Sequence, residues 1–107
     1  MSKRQALIII GRFKPEWNNL SEEEQAAFAA RVGRAARKVE VTPLVGYTLT
    51  TQGSFLEIWE ADDRVTLERF KKELDGLGYK NYYDEVLMLG ERAEAWIGKA
   101  TEAARNK

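Results

Sequence analysis

Histidine and cysteine are both missing from this 107-residue chain. Without imidazole there is no histidine-based triad, no His-ligated haem and no His-containing zinc or iron site. Without cysteine there is no disulfide framework, thiolate nucleophile or zinc ribbon. Any general acid or base must be Asp, Glu, Lys or Tyr, or water that they hold. Net charge is missing too, because seventeen basic residues balance seventeen acidic ones. A chain with no positive field has little to offer a phosphate backbone, so nucleic acid is not an expected partner. No apolar run approaches the ~20 residues that span a bilayer, which argues against a membrane partner. The start "MSKRQALIIIG" is basic then apolar, but Ala6 to Ile10 is too short for a secretory signal. A cytoplasmic protein is expected. Neither a phosphate loop nor an EF-hand spacing occurs, and neither a cofactor nor a metal is expected.

What is present reads as one domain over residues 1–107, with a core over about 4–90 and a terminal helix over about 91–104. The β-branched run "QALIIIGRF" predicts a buried strand, which Pro15 ends because it has no N–H to pair. Asn18 and Asn19 continue as loop. Ser21 and Glu24 make a capping box, and Phe28, Val32, Ala35 and Ala36 form the buried stripe of a helix reaching Arg37 or Lys38. Val45, Tyr47, Leu49 and Thr51 alternate with Gly46, Thr48 and Thr50; "TQGS" turns the chain, and "FLEIWEA" returns as the second arm of a hairpin. Asp62 or Asp63 caps a helix with Leu67, Phe70 and Leu74 inward, ended by Gly76 and Gly78. A strand follows, clearest over Asp84 to Leu89. The last helix places Ala93, Trp96, Ile97 and Ala100 on one face.

The order strand, helix, strand, strand, helix, strand, plus a terminal helix, predicts an α+β chain with the ferredoxin-like βαββαβ pattern. Its four-stranded antiparallel sheet would carry both long helices on one face. A chain of this length has no second layer for the other face, so a homodimer with the two sheets packed together is expected.

Three stretches, "FKPEWNNLSEEEQAAF", "FLEIWEADD" and "GYKNYYDEV", resemble the darcynin-like bacterial proteins of the dimeric α/β barrel group. The likeness covers roughly Ala6 to Gly90. Its most specific pieces are Pro15-x-Trp17 with Leu20, the Ile58-Trp59 pair, and the aromatic run Tyr79 to Tyr83. It implies a dimeric α/β barrel with a pocket in each subunit between the sheet and its two helices. The group includes haem-degrading and cofactor-free monooxygenases, muconolactone-type isomerases, cyclases and binding modules. The missing histidine departs from the haem-binding members and from many isomerases.

Alternation sorts the candidates for that pocket. Ile8, Ile10 and Arg12 share one face of the first strand, and Leu7, Ile9, Gly11 and Phe13 the other. On the third strand Phe55, Glu57 and Trp59 oppose Leu56, Ile58 and Glu60. Arg12 and Glu57 are charges among apolar strand residues. They read either as an anion holder and a base, or as an ordinary cross-strand ion pair. Tyr83 joins them as a phenol that moves a proton or binds an oxyanion. Trp17, Tyr47, Trp59, Phe28 and Tyr82 are the candidate ligand contacts, with core or interface packing as the alternative. Asp84 and Glu85 are adjacent on a strand and point to opposite faces, so they do not make a carboxylate pair.

The expected function is cofactor-independent chemistry on a small aromatic or enolisable organic molecule, by proton transfer, isomerase, lyase or monooxygenase-type reaction. The alternative is a noncatalytic ligand-binding or dimerisation module.

Overall fold

The computed structural model describes residues 4–49 and 53–105, without side chains over 94–97. Strand β1 (Gln5–Phe13) leads into a single turn of helix, α1 (Pro15–Asn18), and then helix α2 (Glu22–Lys38). Strands β2 (Thr42–Thr48) and β3 (Ser54–Ala61) precede helix α3 (Arg64–Gly76). A 3₁₀ turn at Tyr79–Asn81, strand β4 (Tyr83–Glu91) and helix α4 (Glu94–Arg105) complete the order. The sheet runs β2-β3-β1-β4 with every neighbour antiparallel, an α+β architecture compatible with a ferredoxin-like fold. No described helix is long and apolar enough to cross a membrane.

Local chemistry accounts for most of these boundaries. Ser21 Oγ accepts from the Glu24 N–H at 3.1 Å, and Glu24 Oε1 accepts from the Ser21 N–H at 3.0 Å, so the capping box is complete. Asp63 caps α3 by accepting from the Thr66 N–H at 2.8 Å. Gly78 ends that region at φ +77°, a left-handed turn that a β-carbon would strain. Two expectations change. Pro15 does end β1, but it then opens α1 as its first residue, where its fixed φ suits a helix and its missing N–H costs nothing. In α4, Ala93 just ahead of it and Ala100 within it are exposed, because the helix leaves from the edge strand β4 and not from beneath a sheet face. Trp96 and Ile97, and the turn residues Thr50 to Gln52, lie outside the described residues or side chains.

The core forms where α2 and α3 cover one sheet face. Leu7 and Ile9 of β1 are fully buried against Phe28, Ala36, Leu67, Phe70 and Leu74 of the helices. The helices therefore cover the odd-numbered residues of β1, and the even-numbered ones look the other way. Ile10, Val86 and Met88, at 37%, 60% and 43% exposure, share that second face with the half-buried Ile8, Leu56 and Ile58. At one end of it Glu60 is buried between two arginines. It accepts from Arg4 Nε at 3.3 Å and from Arg92 Nε at 3.0 Å, and Arg92 makes a second contact to its other oxygen.

Gly11 has no room for a side chain on the helix side. A β-carbon there would lie 2.5 Å from Cζ and 2.8 Å from Cε1 of Phe55, and 3.2 Å from the Asp84 carbonyl oxygen. Gly11→Ala is expected to cost about 1–3 kcal/mol of stability through overpacking. Urea denaturation reads the loss directly.

Candidate functional site

Strand register decides which side chains meet. On the helix side, one row across the sheet runs Gly46, Glu57, Ile9, Leu87, and the next runs Thr48, Phe55, Gly11, Glu85. Phe13 and Tyr83 are paired at the end of β1. A cleft of about 320 Å³ opens where these rows reach the β2 edge, lined by Phe13, Trp17, Phe55, Glu57, Tyr83 and the backbone around Gly46. A second depression on the other side of Gly46 shares Glu57 and ends on Trp59. Nothing lies within 4 Å of where a Gly46 β-carbon would be, so the missing side chain leaves open space directly beside Glu57.

The cleft wall is a cluster of rings. Trp17 stacks on Phe13 at 5.5 Å and 17° between planes, and Tyr83 touches Phe13, Trp17 and Phe55 at 5.3 to 5.4 Å. The α1 turn brings Trp17 there, and Gln25 holds the turn by donating to the Trp17 carbonyl at 3.0 Å. Glu57 sits among these apolar groups and, among the described residues, accepts from one side-chain donor, Trp59 Nε1–H, at 3.2 Å. Burial pushes its pKa above the ordinary 4.5, and the Trp59 bond opposes that only in part. Desolvation and the neighbouring Glu57 charge push the Tyr83 phenol upward as well, so it stays a protonated hydrogen-bond donor. A carboxyl whose pKa burial raises, beside a phenol donor, is the equipment of acid–base chemistry.

The expected site comes together only in part. Glu57, Tyr83 and Trp17 share the cleft, and Trp59 positions the Glu57 carboxyl. Arg12 does not join them. It faces Ser54 and Asp84 in the register, on the sheet face away from the helices, and is exposed. Alternation within β1 had already separated Arg12 from Ile9, and the β1–β3 register puts Glu57 opposite Ile9. An Arg12–Glu57 pair is therefore ruled out, either as anion holder with base or as cross-strand ion pair. Tyr47 is 61% exposed at the edge, faces Leu56 across the strands, and only borders the cleft mouth. Phe28 is core, packed behind the ring cluster 6.0 Å from Trp17 and 4.9 Å from Tyr82. Tyr82 belongs instead to a larger, solvent-facing groove of about 500 Å³ on the outer side of α2, with Leu20, Glu24, Arg31 and Arg34.

No protein-family model matches the chain, and no curated protein matches it either. The reading of the site therefore rests on its geometry.

Glu85 was set aside in the sequence as half of an Asp84–Glu85 pair, and Tyr79 figured there only in the aromatic run Tyr79 to Tyr83. Both are drawn into the helix-side layer, where the Tyr79 hydroxyl donates to Glu85 and the Glu85 Oε2 atom is buried with no hydrogen-bond partner among the described residues. Burial, with the charges of Asp75 and Glu57, raises the Glu85 pKa against the Tyr79 bond and Lys80, which lower it. The only sequence signal was parity, since Glu85 lies two residues on from Tyr83. Among the described residues no group of three or more acidic side chains is placed to hold a metal ion.

A carboxyl whose pKa is raised by folding binds its proton more tightly in the native state than in the unfolded one. Its stabilising contribution is complete below the ordinary value of 4.5 and is lost as pH rises through the raised one. Glu57→Gln is therefore expected to gain stability relative to the parent as pH rises from 4 toward 8. Urea midpoints of the two proteins across that range check the divergence.

Proposed function

We propose that this protein is a cytoplasmic homodimer of the dimeric α/β barrel type whose helix-side cleft binds a small organic molecule and transfers a proton to or from it without a cofactor. One observation carries the chemistry: the Glu57 carboxyl, desolvated and held by a single side-chain donor, faces the cleft. In this reading Glu57 takes or gives the proton, and the Tyr83 phenol donates a hydrogen bond to the ligand. Trp17, Phe13 and Phe55 exclude water and fit a flat or compact apolar body. At about 320 Å³ the cleft is at the low end of the ~300–1,000 Å³ range of ligand pockets, which suits a molecule of about one ring. The resemblance to the darcynin-like proteins points to the same location between sheet and helices.

The dimer is supported by the uncovered sheet face. Ile8, Ile10, Leu56, Ile58, Val86 and Met88 form a contiguous apolar surface that a second copy would bury by packing sheet on sheet. A noncatalytic binding module is a second reading, favoured by the lack of Lys and Arg among the described residues lining the cleft, since enolate chemistry usually uses a cation to hold the oxygen.

Hydrogen–deuterium exchange into a panel of enolisable ketones and small phenols, followed by NMR, separates the two readings. Exchange catalysed by the parent protein is expected to fall about 10²–10⁴-fold in Glu57→Gln. Equal exchange in both proteins would favour the binding module. For the assembly, sedimentation of the parent as a dimer and of the Ile10→Glu, Met88→Glu double variant as a monomer is expected.

A further inference from the structure

The cleft is electrically one-sided. Among the described residues its lining contributes a single ionisable carboxyl, Glu57, and a set of aromatic rings whose faces carry partial negative charge. Glu85 adds a second carboxyl on the same sheet face, close enough to raise the Tyr79 and Tyr83 phenols together with Glu57. From α2 the side chains packed toward the cluster are Phe28, Ala29 and Val32, and from α3 Phe70 packs on Trp59 at 4.8 Å. The cations of the neighbouring elements are turned elsewhere. Arg12 is on the far sheet face, and Lys14 donates to the Lys80 carbonyl at 2.7 Å and pairs with Asp84. Arg31 lies over the Phe28 ring at 5.4 Å on the outer groove, and Lys38 pairs with Glu73 at 2.7 Å.

An anion entering this cleft would bring a second negative charge into a partly dry site with no Lys or Arg among its described lining residues to balance it. A neutral molecule would leave the Glu57 carboxyl to find its proton from water. A cation would do two favourable things at once, sitting against the rings of Trp17, Phe13, Phe55 and Tyr83 and pairing with ionised Glu57. We infer that the ligand of the helix-side cleft is a small organic cation, a protonated amine or quaternary ammonium attached to a compact or single-ring apolar body. The inference rests on the proposed cleft as the ligand site, but not on Glu57 transferring a proton.

Three probes of one size test it: benzyltrimethylammonium, benzyl alcohol and benzoate, titrated at pH 8 with the fluorescence of the tryptophans as readout and calorimetry as a check. The cation is expected to bind at least about tenfold more tightly than the other two, a difference of about 1.4 kcal/mol. Glu57→Gln should erase that preference while leaving benzyl alcohol within about twofold. In the parent the preference should fade as pH drops through the raised Glu57 pKa. Gly46→Val, whose β-carbon meets open space, should fold as the parent does and weaken binding of whichever probe occupies the cleft. Thermal unfolding of each variant confirms that it is native. If benzoate or benzyl alcohol binds as well as the cation and Gly46→Val blocks it, the cleft reading stands and the cation inference is overturned. If no probe binds, or Gly46→Val leaves cation binding untouched, both are overturned.

Discussion

The ring of Phe55 lying across Gly11 is the contact from which the helix-side site is built. Only a residue without a β-carbon lets the ring settle onto β1, where it meets Phe13 at 4.9 Å and Tyr83 at 5.3 Å. Those three rings then give Trp17 a surface to stack on, and α1 is held as a turn of helix over the end of the strand. The ring cluster in turn removes water from one side of Glu57. What began as a steric allowance at one glycine thus ends as an electrostatic property of a carboxyl two rungs away.

The sheet divides the molecule into two surfaces with different demands. Facing the helices, side chains are buried and any charge must be paired, neutralised or shifted in pKa, as Glu57 and Glu85 are. On the other face, aliphatic residues occupy the centre and charges collect toward the ends, with Arg12 and Asp84 at one end and Arg4, Glu60 and Arg92 at the other. Such a layout suits contact with another apolar sheet, since the centre excludes water and the ends keep their hydration or their ion pairs. The chemistry of one face and that of the other can then change independently.

Local patterns made much of this visible in advance. The parity of Leu7 and Ile9 against Ile8 and Ile10, the Ser21–Glu24 box and the Asp63 cap all act within a few residues, and the structure follows them. Glu57 stood out because a charge between Phe55 and Trp59 shares their parity. Arg12 misled because an even or odd position says which residues of one strand agree, not how two strands are phased; the β1–β3 register set that, and it is a long-range choice. Pro15 was read by what it prevents, though the same ring constraint also starts a helix. Glu85 was dismissed with its neighbour Asp84 because what surrounds it on the helix side comes from Tyr79, supplied by a turn, and not from its own strand.

Gly46 gives the site an unusual kind of adjustability. It stands on an edge strand, opposite Glu57, with free space among the described residues where a side chain would go. Position 46 is therefore an aperture. Alanine, serine, valine or a longer residue would narrow it by stages without disturbing the rings, the carboxyl or the core beneath. The width of the cleft could thus drift in evolution, or be set by design, through one residue that the fold itself does not need.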